Sequence, residues 1–460
     1  MTRVAIIGGG IAGLSAAWYL EKARRGGATV DWVLLEKSER LGGVIRTERR
    51  DGFVLEAGPD SFLTIKPEAA DLCRDLGLGS EVIPSNDFQR KTYILVKGRL
   101  VPIPDGLQFM VPTRVLPMIS TRLFSFGTKL RMAREWFSSA RNQDGDEPVA
   151  DFVSRHFGRQ MVDRVAEPLL AGVYGGNAET LSLRAVLPRF AEMEKQHGSL
   201  VRATLKARKS APQAAPQPLF TSLRAGMQQL VDKLIAGLPP QSLRLKQSAV
   251  SVQRVASRWQ LASSEGSEAF DAVILAVPAP FAGALLLGVS PQAASLLANL
   301  PYTSSAAVLL AYDKISLPPG FGFLVPASER KKMLACTFVH NKFSPRAPEG
   351  KALLRCFFSS ARMPELLNRR EDDLKTFARQ ELKEILGVDA EPEFIQTFRW
   401  RYGLPQYETG HLERAAEIET QLRQLPGLYL IGNSLHGIGV PDCIRSARQA
   451  VESLVSRTIN

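Results

Sequence analysis

The chain has 460 residues, 45% hydrophobic and 23% charged, a globular composition that excludes a disordered or fibrous chain and allows two or three lobes. Its formal net charge of +12 suits anionic partners: a carboxylated substrate, nucleic acid or an acidic membrane surface. No zinc finger or aromatic-rich binding strand accompanies that charge, so nucleic acid is set aside. The four cysteines, Cys73, Cys336, Cys356 and Cys443, form no CxxC pair, and the five histidines have no metal-ligand spacing. They point to reduced thiols in a cytoplasmic protein without a metal centre.

Met1, Thr2 and Arg3 run straight into the apolar residues 4–7 (VAII), with no secretory cleavage pattern. This short run predicts a strand buried on both faces of a parallel sheet. Gly8, Gly9, Gly10, Ile11, Ala12 and Gly13 follow as G-x-G-x-x-G, and residues 14–28 have helical composition. In such a loop Gly8 makes the tight turn, Gly10 lets backbone approach a pyrophosphate, and Gly13 allows close helix–strand packing. The helix N-terminus then offers free N–H groups to the phosphates. A second strand at 32–35 ends in Glu36, whose carboxylate can take both ribose hydroxyls and repels a 2′-phosphate. Strand, loop, helix, strand and acid together predict a Rossmann-like dinucleotide site.

Residues 36–47 continue with Lys37, Arg40, Gly42, Gly43 and Thr47 as R-x-G-G-x-x-x-T. Gly42 and Gly43 let the chain pass close to a ligand, and Arg40 could meet a phosphate. This block resembles the second flavin motif of the amine oxidase and phytoene desaturase superfamily, which implies FAD rather than NAD.

Further along, residues 107–136 mix Phe109, Met110, Leu116, Ile119, Phe124, Phe126 and Trp136 with Arg114, Arg122, Lys129, Arg131 and Arg134, and carry Glu135 as the sole acid. That mixture suits either a membrane surface and substrate channel or an amphipathic lobe with a basic solvent face. Residues 206–218 (KARKSAPQAAPQP) predict an exposed linker. Residues 220–238 predict a loop and helix, and 249–255 a strand. The uncharged run 272–289 is split by Pro278 and Pro280 into strand, turn and helix rather than a membrane span. Near the end, an apolar strand at 428–433 closes on Gly432 and Asn433. The turn His436, Gly437, Ile438, Gly439, Val440 and Pro441 then leads into a helix from 442 to about 456. A helix N-terminus so placed could stabilise negative charge on a reduced flavin. This tail resembles the flavin-closing segment of the same superfamily, with Asn433 in place of a frequent acid; the resemblance also puts a backbone contact to adenine at Val250. No second G-x-G-x-x-G follows a strand, which favours an oxidase or dehydrogenase over an NAD(P)H-dependent reductase.

Four segments resemble the protoporphyrinogen and coproporphyrinogen oxidases within that superfamily: EAGPDSFL at 56–63, PLLAGVYGGN at 168–177, WRYGLPQYETGH at 400–411 and GIGVPDCI at 437–444. The resemblance implies an α/β protein of three lobes. These are a discontinuous FAD-binding domain (1–85, 220–300 and 425–460), a mixed α/β substrate domain (86–105 and 301–424), and a helical membrane-associated lobe (106–219). It implies six-electron oxidation of a porphyrinogen to the porphyrin, with molecular oxygen as acceptor and no strong base. By the same likeness Gly58, Pro59, Asp60, Ser61 and Trp400 touch the cofactor, while Asp60, Lys66, Gly172 and Tyr174 face the substrate, Lys66 pairing with a propionate. No residue is singled out as catalytic. A peripheral contact with the inner face of the cell membrane and a homodimer fit the same likeness. Another amine oxidase or carotenoid desaturase, or a non-catalytic FAD-stabilised membrane scaffold, stays open at this point.

Overall fold

A computed structural model describes residues 1–141, 145–210 and 217–459. At its centre five parallel strands run in the order Leu243–Arg244, Val30–Leu35, Thr2–Ile7, Ala272–Leu275 and Leu428–Leu430. Their residues are almost continuously apolar because both faces are covered. On one face the first helix, Ile11–Arg25, and the last, Val440–Ile459, share an apolar cluster through Leu14, Ala17, Ile444, Ala447 and Val451. On the other, Ala282, Leu286 and Leu297 pack with Ala5, Ile7, Val33 and Leu35. Helix His411–Arg423 joins this second cluster through Ala415, Ile418 and Leu422. Its apolar stripe therefore rests on the parallel sheet, although its chain position groups it with the strands of residues 301–424.

The first helix starts at Ile11, earlier than residue 14, because Gly10 already accepts the first helical hydrogen bond from Leu14 N–H at 2.9 Å. Residues 272–289 form strand Ala272–Leu275 and helix Ala279–Leu286. No helix among the described residues is long and apolar enough to cross a membrane.

A second sheet has seven strands, in the order Phe394–Pro405, Tyr302–Tyr312, Ala352–Ser359, Ala335–Phe338, Gly322–Leu324, Thr92–Val96 and Arg99–Pro102. All neighbours are antiparallel except Gly322–Leu324 and Thr92–Val96. Residues 220–238 begin with a strand, Phe220–Leu223, rather than a loop; it is held between Phe62–Leu63 and Val82–Pro84.

Of residues 115–210, those described are largely helical. Lys206 to Ser210, expected in a linker, instead end the helix Leu200–Ser210, since Lys, Ala and Arg favour helix until the first proline. Residues 211–216 of that expected linker lie outside the described residues. Glu135 is turned inward and buried. It accepts hydrogen bonds from Ser199 Oγ at 2.8 Å and from the N–H groups of Leu200 and Val201 at 2.6 and 3.3 Å, the start of that helix. His156 lies between Glu135 (3.0 Å) and Glu194 (3.1 Å), with Arg155 3.5 Å away. Burial opposes charge on His156, but hydrogen bonds to the two carboxylates outweigh it and raise its pKa above the ordinary 6.5. The resulting stability is complete below that ordinary value and is lost as the pH rises through the elevated one. Melting temperatures of wild type and H156Q should therefore differ most at acid to neutral pH and converge on the alkaline side. A constant difference across that range would show that His156 is held as the neutral ring.

Candidate active site

The glycine loop has the geometry its sequence requires. Gly8 has φ +107°, and a Cβ there would lie 2.5 Å from the Ala276 carbonyl oxygen. A Cβ on Gly13 would lie 1.9 Å from the Gly8 oxygen. Around Gly10 a Cβ would meet nothing within 4 Å, and no side chain caps the helix that begins beside it. Open space in front of an uncapped helix N-terminus fits a pyrophosphate. Glu36 accepts from the N–H groups of Gly9 at 2.7 Å and Ser38 at 2.9 Å. Lys37 Nζ sits 4.6 Å above the Phe281 ring. Gly42 bridges to Gly10, its N–H donating to the Gly9 oxygen at 2.7 Å. Arg40, expected at a phosphate, donates instead to the carbonyls of Leu41, Gly43 and Ile45, so it braces the turn that presents Gly42 and Gly43. Val250 lies at a register shift in strand Ala249–Val255 and is 63% exposed. A bulge there leaves its backbone groups out of the regular ladder.

The EAGPDSF segment is pinned from the seven-stranded sheet. Trp400 Nε1 donates to the Ala57 oxygen at 2.8 Å, and Arg355 to the Gly58 oxygen at 2.5 Å. From the separate strand Phe220–Leu223, Ser222 Oγ donates to the Asp60 backbone carbonyl at 2.6 Å. A Cβ on Gly58 would strike the Val44 carbonyl oxygen at 1.9 Å, which seats this segment directly on the Gly42–Gly43 turn. Lys342 Nζ lies 3.1 and 3.0 Å from the two Asp60 oxygens and 3.2 Å from Ser61 Oγ. Arg346, fully buried, lies 3.4 Å from Glu56 and donates to Ser222 Oγ at 2.6 Å. Burial by itself raises Asp60, yet Lys342 and Arg355 outweigh it and hold the carboxyl well below its usual range. Burial does prevail at Glu56, pushing it up against the charge of Arg346. Three cations thus face two carboxylates beside the expected flavin contacts.

Sequence reasoning missed all three cations. Lys342 and Arg346 end two successive short helical turns, Val339–Lys342 and Ser344–Arg346, that carry no motif. Arg355 left one signal, a lone charge inside the apolar strand ALLRCFFS.

PLLAGVYGGN and PQYETGH, distant in sequence, meet. Gln406 Nε2 donates to the Tyr174 oxygen at 2.8 Å and to Thr303 Oγ1 at 2.9 Å. Ser359 Oγ donates to the Gly175 oxygen at 2.6 Å. The Tyr174 and Tyr407 rings lie 6.2 Å apart, and His411 stacks on Tyr407 at 3.9 Å. Tyr407 donates to the Asn433 carbonyl at 2.6 Å, tying this aromatic wall to the C-terminal turn. Burial, helped by the charge of Asp442, pushes the Tyr174 phenol up to about 12, so it stays protonated at neutral pH. Gly172 is exposed, and a Cβ there would make only an ordinary contact, 3.6 Å from Leu324.

Lys66, expected opposite a propionate, is bound to Asp442 at 2.6 and 2.8 Å. The buried Asp442 also receives Arg445 at 2.5 Å and the Gly439 N–H at 3.1 Å, directly beside Ile438 and Val440.

A two-sided parallel sheet, an open glycine cradle and an acid after the second strand define a dinucleotide-binding oxidoreductase. Residues 11–455 match the family described as flavin containing amine oxidoreductase, and the chain belongs to that family. Its cofactor is FAD. The chain is 34% identical to the coproporphyrinogen III oxidase of Bacillus subtilis, over 99% of this chain and 98% of that one. It is 27% identical to protoporphyrinogen oxidase 2 of Arabidopsis thaliana, over 99% and 94%. A crystal structure from an Exiguobacterium species, provisionally named a protoporphyrinogen oxidase, superposes with TM-score 0.88 at 32% identity, covering 99% of both chains. Reduced UDP-galactopyranose mutase, 15% identical with TM-score 0.74 over 99% of this chain and 94% of that one, shares the fold.

Proposed function

We propose that the protein oxidises a porphyrinogen, coproporphyrinogen III or protoporphyrinogen IX, to the porphyrin of haem synthesis, with molecular oxygen as final acceptor. The observation that carries this reading is the full-length likeness to coproporphyrinogen III oxidases. FAD, when bound, supplies a two-electron acceptor. The chain's own contribution is placement: a macrocycle gains most from being buried against the cofactor in one orientation. Gly172 leaves room for a flat ring, protonated Tyr174 adds a polar O–H without charge, and Lys66 adds a cation toward propionates. Asp60 and Ser61, braced by Lys342, and Trp400 line the cofactor side. Gly8 to Gly13, Glu36, Lys37, Gly42, Gly43, Val250 and Ile438 to Val440 hold the dinucleotide. Residues 1–85, 220–300 and 425–460 form that cofactor unit, with helix His411–Arg423 packed beneath it.

Comparison of the two porphyrinogens under air tests the reading. Porphyrin fluorescence should grow with enzyme and oxygen. No emission from either compound, together with turnover of an amine, would replace this proposal with that of an amine oxidase.

The finer reading adds a membrane contact. Val115 (73% exposed), Leu116 (80%), Ile119 (63%), Phe126 (83%) and Phe137 (80%) share residues 114–137 with exposed Arg114, Arg122, Arg131 and Arg134. The sole acid of that stretch, Glu135, faces inward, so its exposed side is basic and apolar, a combination that suits anionic lipid. F126D/F137D should abolish co-sedimentation with anionic vesicles and leave oxidation of dissolved substrate unchanged. Equal sedimentation of variant and wild type would end the membrane reading.

A further inference from the structure

Asp442 lies where three segments meet, and nothing in the oxidation scheme above uses it. Its carboxylate is buried, yet it accepts four hydrogen bonds from three donors: two from Lys66 Nζ, one from Arg445 and one from the backbone N–H of Gly439. Arg445 is held in turn by Glu68 at 3.0 Å. Lys66, Asp442, Arg445 and Glu68 thus form a neutral chain of alternating charge. It joins the segment after GPDSFL to the N-terminus of the last helix. The turn before that helix is moulded around the carboxylate. Gly437 has φ +89°, and a Cβ there would lie 2.4 Å from Asp442 Cγ. The Tyr174 phenol feels the same charge.

We infer that Asp442 is a positioning residue for the flavin, and that Lys66 acts through it. The ion-pair chain fixes the turn Gly437 to Val440, and with it the backbone groups that the last helix offers to the cofactor. A buried carboxylate with charge-assisted bonds to both a side chain and a turn N–H is stiff, because removing either cation leaves it under-compensated. The role of the turn rests on the flavin placement proposed above. It also revises the role of Lys66: that lysine is already neutralised before any substrate arrives, so its first effect is on the cofactor.

The test uses the full-length protein stripped of FAD and titrated with FAD alone, with no substrate. K66M and D442N should each weaken FAD binding at least tenfold and shift the visible spectrum of the bound flavin. K66R should restore both to within threefold of wild type. K66M/D442N should be no weaker than the worse single variant, as expected when two residues act through one link. Lys66 is 37% exposed in its side chain, so K66M keeps the test alive if D442N fails to fold. Wild-type FAD affinity and spectrum in K66M would overturn the inference, even with a raised KM for coproporphyrinogen III, since Lys66 would then be a substrate contact alone. Failure of the porphyrinogen reading shows elsewhere, as absence of porphyrin formation by the wild type.

Discussion

Replacing Lys342 by methionine is expected to destabilise the protein by about 3–5 kcal/mol, the loss typical of breaking a buried ion pair from one side. Both members are largely enclosed: the side chains of Lys342 and Asp60 are 9% and 16% exposed. Methionine matches the length of the lysine stem but leaves Asp60 with Arg355 as its main compensating charge. The pH dependence carries a signature. Because Asp60 is held below its ordinary value of 3.8, its contribution is present above that value and is lost as the pH falls through the depressed one. Wild type and K342M should therefore diverge at neutral pH and converge toward strong acid in denaturant titrations. Activity should fall as well. Asp60 and Ser61 sit on the segment whose carbonyls are held by Trp400, Arg355 and Ser222. A displacement of about 1 Å at such a place lowers turnover about 10²-fold. K342R, which keeps the charge, should recover part of both losses.

Valine at Gly10 should separate folding from cofactor binding. A Cβ at Gly10 would meet no atom within 4 Å beyond its chain neighbours, so the substitution is expected to leave the chain's own packing intact. The stripped protein should melt close to wild type. In the proposed placement of the dinucleotide, the same side chain stands where the pyrophosphate approaches the helix N-terminus. Loss of two charge-assisted hydrogen bonds, about 1.5–3 kcal/mol each, weakens FAD about 10²- to 10⁴-fold. G13V is the contrast: its Cβ would lie 1.9 Å from the Gly8 oxygen, so it should damage the fold as well. A yellow G10V protein with wild-type FAD affinity would show that the dinucleotide lies elsewhere.

The contrast between these residues explains what the sequence made legible. Gly8, Gly13 and Glu36 answer local demands, a left-handed backbone, a close approach and a fixed distance after a strand, and local demands leave patterns. The paired motifs at 168–177 and 400–411 were visible as segments, but their contact through Gln406 and Tyr174 was not. Lys342, Arg346 and Arg355 become a buried cluster only when strands far apart in sequence assemble, and an isolated basic residue looks the same on a surface. Asp442 and Lys66 show the limit most clearly. Resemblance picked out the lysine, whereas its partner 376 residues later was beyond any spacing rule. Local reading also erred at 206–210, where proline and alanine suggested a linker and the chain continues as helix.

The middle strand of the parallel sheet, Thr2–Ile7, pairs on one side with Val30–Leu35 and on the other with Ala272–Leu275. A ribosome therefore releases one flank of that strand almost at once and withholds the other for well over half of synthesis. Through that interval the nascent N-terminal unit carries an open hydrogen-bonding edge with nothing beside it, a state prone to slow, non-local assembly and mispairing. That edge finds its partner only once Ala272–Leu275 has been made, and the last helix, Val440–Ile459, follows later still.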